Sequence, residues 1–413
     1  MTIPELQVPG TPTCPFGPPS AYTGRPAGDT VTRVACPTGI SAWLVTDYAE
    51  VREVLGDPER FSTRAGQSAH ILAHMDPDLP VSEGEFPRMD GPAHLRYRRH
   101  LAPEVSALRR INQLRPLVQG IVDERIDALA AVGPPVDLYV DFARPVTTAV
   151  IAELLAVPAG DRPLFQEAAD KLFDTGTTTA ELAQALQPLF GYLFGLVVGR
   201  RAAPGDDIVS RMIVHSDQTE QPFTDMDLVM MSAALLIAGY DTTASMIGYG
   251  FHLLLSEHPD EYARLSADPT LAATAVEELV RYLGVGTGLL RLVTRDTEIG
   301  GQSVAAGDYV VVAVQAANRD TALYPDADRL DLGRKPLPHL AFGHGPHQCV
   351  GQQLARLELG TVLATVPGRI PTLRLAVPVD EIPLKKDTVV LGPASLPVTW
   401  DTVLPAATVA GVR

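Results

Sequence analysis

Cysteine is scarce in this chain: its 413 residues contain three, at Cys14, Cys36 and Cys349. A sparse, odd number of cysteines in a long chain excludes a disulfide framework of the kind that staples small secreted domains. Free thiols fit a reducing compartment, so we expect a cytoplasmic protein. Any chemistry performed by a cysteine must also come from one of these three residues.

Signals for export and for membrane insertion are also lacking. The N-terminal stretch MTIPELQVPGTPTCPFGPP has no charged n-region and no apolar core, so we predict no signal peptide. The longest apolar stretch, near Met230–Ala238, is far shorter than the roughly 20 residues that cross a bilayer. We therefore expect a soluble protein without a membrane partner.

Positive charge is limited, and lysine is nearly absent. Against 49 acidic residues there are 33 basic ones, which gives a formal net charge of −16, and four of the basic residues are lysine. Phosphate backbones are bound by clustered Lys and Arg, so an acidic balance argues against a nucleic-acid partner.

Apolar residues make up 46% of the chain, and their spacing is mostly helical. The longest helical segment is Thr224–His258, about 50 Å at 1.5 Å per residue, with Thr224 and Asp227 as a capping box and Pro259 as its stop. Further helices are predicted at Asp47–Leu55, Pro92–Leu129, Phe142–Leu155, Arg162–Asp174, Thr179–Arg201, Asp268–Leu283 and Cys349–Val366. Short strands are predicted at Ile40–Val45, Thr297–Ile299, Tyr309–Val314 and Thr388–Leu391.

These segments predict a mainly α fold with a small β region in a single domain, residues 1–413. Residues 1–28 are rich in proline and glycine and are expected to be an N-terminal arm, and residues 401–413 a C-terminal tail. Two other stretches lack periodicity, a long loop at 62–89 and a meander at 320–340. Loops of that length inside a domain are usually functional.

The segment Phe342-Gly343-His344-Gly345-Pro346-His347-Gln348-Cys349-Val350-Gly351 carries the main chemical signal. Glycines and a proline shape a tight loop, and Cys349 is predicted to open a helix. Backbone N–H groups at a helix start stabilise a thiolate, and a thiolate is the haem ligand that favours O–O cleavage. Two alternatives are a buried structural cysteine and a zinc site of His344, His347 and Cys349, which would have only three ligands.

At every defined position this segment resembles the haem-binding loop of the cytochrome P450 family, F-G-x-G-x-H-x-C-x-G. The resemblance implies haem b, iron protoporphyrin IX, between the long central helix and the Cys-loop helix, with Cys349 as the axial metal ligand. It also implies that Phe342, Gly343, His347 and Gly351 bind the cofactor. The chain would then be a soluble bacterial haem-thiolate monooxygenase of class I.

The central helix contains Ala238-Gly239-Tyr240-Asp241-Thr242, which resembles the oxygen-binding groove of the same family, A/G-G-x-D/E-T. Independently of any family, Ala238 and Gly239 lack bulk, so a planar cofactor and O₂ can approach the backbone. The Thr242 hydroxyl can bond to the Ala238 carbonyl four residues earlier. The resemblance implies that Asp241 delivers protons through water and that Thr242 stabilises the activated oxygen.

Two further groups occur in the order that the family shows. Glu278 and Arg281 share a helix face, and the resemblance adds Arg334 to them as a structural triad beneath the haem. Haem propionates need cationic partners, and the segment from Asp90 to Arg98 resembles D-P-P-E-H-x-R-x-R, departing from it at Gly91 and Ala93. The resemblance assigns this role to His94, Arg98, Arg291 and His347.

The predicted reaction is hydroxylation or epoxidation of a bulky apolar natural product, such as a polyketide, terpenoid or peptide, in secondary-metabolite or antibiotic biosynthesis. The small residues of Gly284–Leu290 favour a roomy pocket. The resemblance adds residues 62–89 (with Leu72, Met75 and Leu79), the helices around residues 162–201, the long helix and Gly392–Leu396 as its lining. Alternatives are oxidative coupling, cyclisation or desaturation on the same fold, and a non-catalytic haem-binding or sensing protein.

No G-x-G-x-x-G follows a strand, so the electrons are expected to come from a separate ferredoxin and ferredoxin reductase. We expect a monomer. A local basic patch would complement an acidic ferredoxin. Its predicted members are Arg96, Arg99, Arg109, Arg110 and Arg356.

Overall fold

A computed structural model describes most of the chain. The described residues are 3–7, 15–19, 22, 29–64, 71–72 and 84–406. Most of the predicted N-terminal arm, part of the 62–89 loop and the end of the predicted tail lie outside them. Cys14, Met75 and Leu79 are among the residues outside the description, whereas Leu72 is inside it.

Helices account for most of the described chain. They are α1 (Tyr48–Gly56), α2 (Gly91–Val105), α3 (Leu108–Val132), α4 (Arg144–Leu154), α5 (Arg162–Phe173), α6 (Thr179–Ala202), α7 (Ile208–Asp217), α8 (Asp225–Ser256), α9 (Pro259–Ala267), α10 (Ala272–Tyr282), α11 (Val314–Ala317) and α12 (Gln352–Arg369). Strands are β1 (Val31–Ala35), β2 (Ser41–Val45), β3 (Phe61–Ser62), β4 (Val136–Asp137), β5 (Leu289–Val293), β6 (Thr297–Ile299), β7 (Gln302–Val304), β8 (Tyr309–Val312), β9 (Arg374–Leu375) and β10 (Pro397–Thr399).

The long helix α8 lies at the centre of the main core. The Thr224 side chain accepts from the Asp227 N–H, and the Asp227 side chain accepts from the Thr224 N–H, so the predicted capping box is present. Helices α4, α5, α6 and α12 pack around α8. Fully buried Tyr240, Tyr249 and Phe251 fill the space between these helices. Because close-packed neighbours surround α8 on nearly all sides, any groove on its surface has a rigid shape.

A five-stranded sheet, in the order β1-β2-β8-β5-β3, forms the main β region. Strand β8 pairs in parallel with β2 and antiparallel with β5, placing Arg291 opposite Val310. Side chains alternate between the faces of a strand, and Arg291 is on a buried one. Two smaller sheets, β4-β10-β9 and β6-β7, complete the β structure of the described residues.

The mainly α fold with small sheets is therefore as predicted, but several boundaries were wrong. The helical pattern of Pro92–Leu129 is two helices, because the chain breaks at Ser106 and Ala107. Pro259 does end α8, yet it also starts α9, since a proline is tolerated in the first turn of a helix. Residues Thr388–Leu391 form isolated bridges rather than a regular strand. Strand β1 was not predicted at all.

Among the described residues, two helices have the length and composition of a membrane span. In α8 the most apolar window is 72% buried, as in the core helix of a soluble protein. In α6 (Thr179–Ala202) the corresponding window is 17% buried, and Phe194 and Val198 are exposed on it.

Candidate active site

The loop that carries Cys349 is closed by its own backbone. The Cys349 N–H donates to the Phe342 carbonyl at 2.8 Å, and the Gln348 N–H donates to Gly345. Gly343 and Gly345 both have φ near +72°, a conformation that side chains disfavour. At Gly345 a Cβ would also lie 2.8 Å from the Leu55 carbonyl oxygen, so glycine is required there.

Cys349 does not open the following helix, which corrects the prediction. Helix α12 begins at Gln352 with Gly351 as its N-cap, so the thiol lies in the turn before the helix. Burial raises the pKa of the Cys349 thiol, opposed by the N–H groups of Gly351 and Gln352 and by the charge of Arg98. A coordinated metal ion would hold the thiolate form, because a metal-bound thiol is deprotonated.

Part of α8 faces an opening in the otherwise buried interior. Ala238 is exposed and Thr242 half-buried, although residues on both sides of them are buried. The Thr242 hydroxyl donates to the Ala238 carbonyl at 2.7 Å, which is the hydrogen bond that the spacing predicts. The missing side chain of Gly239 also makes room for α4, because a Cβ there would lie 3.2 Å from Ile151 Cδ1.

Asp241 is turned away from solvent, with 4% of its surface exposed. The Lys385 Nζ lies 2.7 Å from both of its carboxylate oxygens, and the Tyr139 hydroxyl donates to one of them at 2.7 Å. Lys385 also donates to the Ser245 hydroxyl at 2.8 Å. Sequence reasoning missed Lys385 and Tyr139, because more than a hundred residues separate each from Asp241 and no local pattern links them.

Two stacked histidines lie beside the cysteine loop. His94 and His347 stack with ring centroids 3.9 Å apart, joining α2 to the loop. Burial, together with the charges of His347 and Arg98, lowers the pKa of His94 to about 4. The Nδ1 atom of His94 is buried without a hydrogen-bond partner among the described residues.

Asp90 connects this group to the sheet. It accepts from the Ser62 and Thr63 side chains at the end of β3, and His347 Nε2 lies 3.1 Å from its Oδ1. Burial opposes ionisation of Asp90, but the hydrogen bonds from His347, Ser62 and Thr63 hold its pKa well below its usual range. The carboxylate thereby fixes the orientation of the His347 ring. Gly91, where the sequence departs from the family pattern, has φ +64°.

Arg291 has the most informative environment of the predicted residues. It is 7% exposed, and burial lowers its pKa to about 10. Within the described part of the chain its guanidinium donates only to the Leu290 carbonyl. A buried guanidinium without a carboxylate partner indicates an anionic ligand. Together with Arg98 and the unpartnered His94, it fits the two propionates of a haem.

The predicted structural triad is assembled. Arg281 donates to both carboxylate oxygens of Glu278 at 2.8 and 2.9 Å, and Arg334 donates to the same carboxylate at 3.1 Å. Arg281 also donates to the carbonyls of Asn318 and Ala327. The triad thus anchors the 320–340 meander to α10.

The zinc alternative finds no support in the geometry. Across residues 29–64 and 84–406, no three His, Cys, Asp or Glu side chains come together in a metal-binding group. His344 lies instead against Gly56, where a Cβ would be 3.5 Å from its ring.

The predicted basic patch is smaller than expected. Arg356 is bidentate to Glu277 at 2.7 and 3.0 Å, and Arg96 donates to the Gln221 carbonyl. Arg110 is half-buried and lies 4.0 Å from the Glu104 carboxylate, whereas Arg99 and Arg109 remain exposed. Two of the five predicted arginines are thus exposed to a partner.

Comparisons with known proteins agree with this geometry. A family model described as Cytochrome P450 matches residues 200–396. Cytochrome P450-SU2 of Streptomyces griseolus is 39% identical over 402 residues, covering 97% of each chain. Mycinamicin IV hydroxylase/epoxidase of Micromonospora griseorubida is 39% identical, covering 90% of this chain and 92% of its own. The crystal structure of CYP105P1 in complex with filipin I superposes with a TM-score of 0.88 at 43% identity, covering 97% of this chain and all of the other.

Proposed function

This chain belongs to the cytochrome P450 family, and from that premise we propose that it hydroxylates or epoxidises a bulky apolar natural product. It is a bacterial P450 monooxygenase, which uses a haem iron, O₂, redox partner proteins and a small-molecule substrate. The finer assignments concern the form of the haem, the residues that hold it, the electron donor and the substrate.

We propose haem b as the cofactor, with Cys349 as its axial ligand. Arg291 carries this proposal, since it is a buried cation that lacks a carboxylate partner among the described residues. His94, Arg98 and His347 would share the propionates with it. The remaining proposed cofactor contacts are Ala238, Gly239, Phe342, Gly343 and Gly351.

Bound haem supplies O₂ activation and the transfer of one oxygen atom to the substrate. The protein's own part is to position donors and to supply protons. The Thr242 hydroxyl, tied to the Ala238 carbonyl, would present its oxygen to the site from a fixed position. Asp241, one residue earlier, would hold and pass the proton through water. Both roles require the polar groups on α8 to be held in place.

The substrate proposal is supported by the relatives and by the segment after α10. One relative is named for hydroxylation or epoxidation of mycinamicin IV, and the structure of CYP105P1 was determined in complex with filipin I. In the segment Gly284–Leu290, Gly286 has open space where a Cβ would be. At position 284 glycine is required for a structural reason, because the residue has φ +68° and a Cβ there would lie 2.9 Å from Gln315 Cγ. Gly288 has φ +130°, a conformation that side chains disfavour. The proposed space in the pocket therefore depends on Gly286 rather than on all three glycines.

A separate ferredoxin with its reductase is the proposed electron source, and exposed Arg99 and Arg109 would contact it. Charge reversal of both arginines should slow reduction of the haem by ferredoxin and weaken the salt dependence of that rate. An unchanged reduction rate would remove this surface from consideration.

We further propose a cytoplasmic monomer with one domain over residues 1–413.

Product analysis tests the proposed function most directly. The holoenzyme is supplied with a surrogate ferredoxin, its reductase, NADPH and O₂, and screened against macrolides, terpenoids and cyclic peptides by ligand-induced spin shifts. An oxygenated product from a bulky apolar ligand supports the proposal. Coupled or desaturated products would favour the alternative reaction, and tight binding without turnover would favour a sensing role.

A further inference from the structure

Asp241 belongs to a cluster of four polar side chains that come from three distant parts of the chain. Lys385 and Tyr139 both contact its carboxylate at 2.7 Å, and Lys385 also donates to Ser245 one turn further along α8. We call these four residues the Asp241 cluster. Tyr139 lies on a π-helical turn, Leu138–Ala143, before α4, and such turns are frequent at functional sites.

The Lys385 ammonium is shielded from water, and the Asp241 carboxylate balances its charge. Burial lowers the pKa of Lys385, while the charge and the hydrogen bond of Asp241 oppose that shift. The next charged groups, Arg144 and Asp170, pair with each other at 2.9 Å. A buried ammonium and carboxylate in contact hold one another in a single geometry, because separating them leaves an uncompensated charge.

Lys385 sits on a hairpin that packs directly on α8. We call residues 384–393 the Lys385 hairpin. It is closed by a bridge between Leu384 and Pro393 and by the Lys385 N–H donating to the Gly392 carbonyl at 2.9 Å. Gly392 has φ +152°, and a Cβ there would lie 3.2 Å from Ser245 Cβ. The close approach of the hairpin to α8 therefore brings the ammonium to Asp241.

The opposite side of the same hairpin contacts the segments proposed to line the substrate pocket. The Val389 N–H donates to the carbonyl of Phe173 at the end of α5, at 3.0 Å. The Leu391 N–H donates to the Val285 carbonyl at 2.7 Å, and Val390 bridges Gly286. One short hairpin thus binds the pocket walls through main-chain hydrogen bonds and the Asp241 carboxylate through the Lys385 ammonium.

We propose that Lys385 is a positioning residue for the monooxygenase reaction, which holds the Asp241 carboxylate in the geometry from which protons are passed toward Thr242. The contacts of the hairpin with Phe173 and Val285 make that geometry depend on the pocket walls. This inference rests on the proposed role of Asp241. Lys385 acts through Asp241, so its effect must disappear when the carboxylate is absent.

The first measurement tests the contact itself and needs no turnover. The chain has only four lysines, so protein labelled with ¹³C at lysine Cε gives four resonances in the reduced, CO-bound holoenzyme, each assigned by a Lys→Arg variant. Asp241→Asn should shift the Lys385 resonance and leave that of exposed Lys386 in place. A Lys385 resonance at the position of a solvated lysine, unmoved by Asp241→Asn, would overturn the proposal.

The second measurement uses 7-ethoxycoumarin as a probe substrate and compares dealkylated product and hydrogen peroxide with NADPH consumed. Lys385→Met should lower product per NADPH by roughly tenfold, less than the roughly 10²–10⁴-fold that a positioned proton-transfer group contributes, because the Asp241 carboxylate itself remains. Lys385→Arg should recover part of the loss, and the matched control Lys386→Met should behave as wild type. The reduced CO spectrum of each variant reports whether its haem site is intact.

The double variant Lys385→Met/Asp241→Asn separates the two proposals. It should be no worse than Asp241→Asn alone, and the solvent isotope effect on NADPH oxidation should change equally in both. If Asp241→Asn retains full product yield, the proposed role of Asp241 fails. If Asp241→Asn loses yield while Lys385→Met matches Lys386→Met, or if the two losses add, the role of Lys385 fails. Should Lys385→Met lack a haem site, Lys385→Arg and the resonance measurement decide.

Discussion

The Arg281 guanidinium donates to both carboxylate oxygens of Glu278 in the interior, where each side chain is 2% exposed. The pair is shielded from water. The Arg281 guanidinium also donates to the carbonyl of Asn318, just before the meander, and to that of Ala327, within it. Removing one partner of such a pair leaves a buried charge, at a cost of about 3–5 kcal/mol. The meander and the cysteine loop that follows it depend on this anchor.

We therefore expect Glu278→Gln to destabilise the holoenzyme by about 3 kcal/mol or more and to lower its haem content. Urea unfolding followed by far-UV circular dichroism, together with haem per protein, measures both. Glu298→Gln, an exposed substitution of the same chemistry on β6, is the control. Equal stability of the two variants would show that the triad does not hold the meander.

Arg291→Leu tests the proposed propionate partner. A charge-assisted hydrogen bond contributes about 1.5–3 kcal/mol, so haem affinity should fall by roughly tenfold to a hundredfold. Haem transfer to excess apomyoglobin measures the loss, and Arg295→Leu, at an exposed position near the end of the same strand, is the matched control. If Arg291→Leu retained haem as the control does while gaining stability, the buried guanidinium would have no anionic partner.

Thr242→Val keeps the shape of the side chain and removes its hydroxyl, and with it the 2.7 Å bond to the Ala238 carbonyl. Product per NADPH should fall by about tenfold or more, with peroxide rising in proportion, because the fixed hydroxyl oxygen is lost. Thr242→Ser restores the hydroxyl and should restore most of the yield. A valine variant with wild-type yield would contradict the proposed role.

His252 predicts an acid-sensitive stability. It is buried on α8 with both ring nitrogens unpartnered in the described residues, and burial lowers its pKa to about 4 from 6.5. Since the folded pKa is depressed, the unfolded chain binds the proton first, and stability falls as pH drops from about 6.5 toward 4. The expected loss between pH 7 and pH 5 is about 2 kcal/mol.

His252→Leu should abolish that part of the loss, with the free energy of unfolding measured by urea at both pH values. His258→Leu, just beyond the C-terminus of α8, serves as the control. An unchanged pH dependence in His252→Leu would assign the acid sensitivity to other groups.

The features that the sequence predicted are mostly local ones. The Thr242–Ala238 hydrogen bond and the Thr224–Asp227 capping box follow from spacings of three and four residues on a helix. The Glu278–Arg281 pair follows in the same way, and the identity of the cysteine loop follows from one continuous motif. Helix ends were less predictable, since Pro259 both ends one helix and begins another.

The features that were missed depend on contacts between distant segments. Nothing near Lys385 in the sequence indicates a partner 144 residues earlier, and Lys386 beside it has the same local chemistry yet is exposed. The reason for Gly239 is likewise tertiary, because it makes room for Ile151 on another helix. Arg356 pairs with Glu277 and so drops out of the predicted basic patch, a pairing that composition alone does not indicate.

The visible spectrum of the reduced, CO-bound protein tests the central claim, that Cys349 is the axial ligand of a haem iron. The wild type should show the long-wavelength Soret band of a thiolate-ligated haem, and Cys349→His should shift that band to the shorter wavelength of nitrogen ligation. Cys36→Ser, at the other described cysteine, should leave it unchanged. A purified protein without a Soret band, or a Cys349→His variant with the wild-type spectrum, would contradict the account.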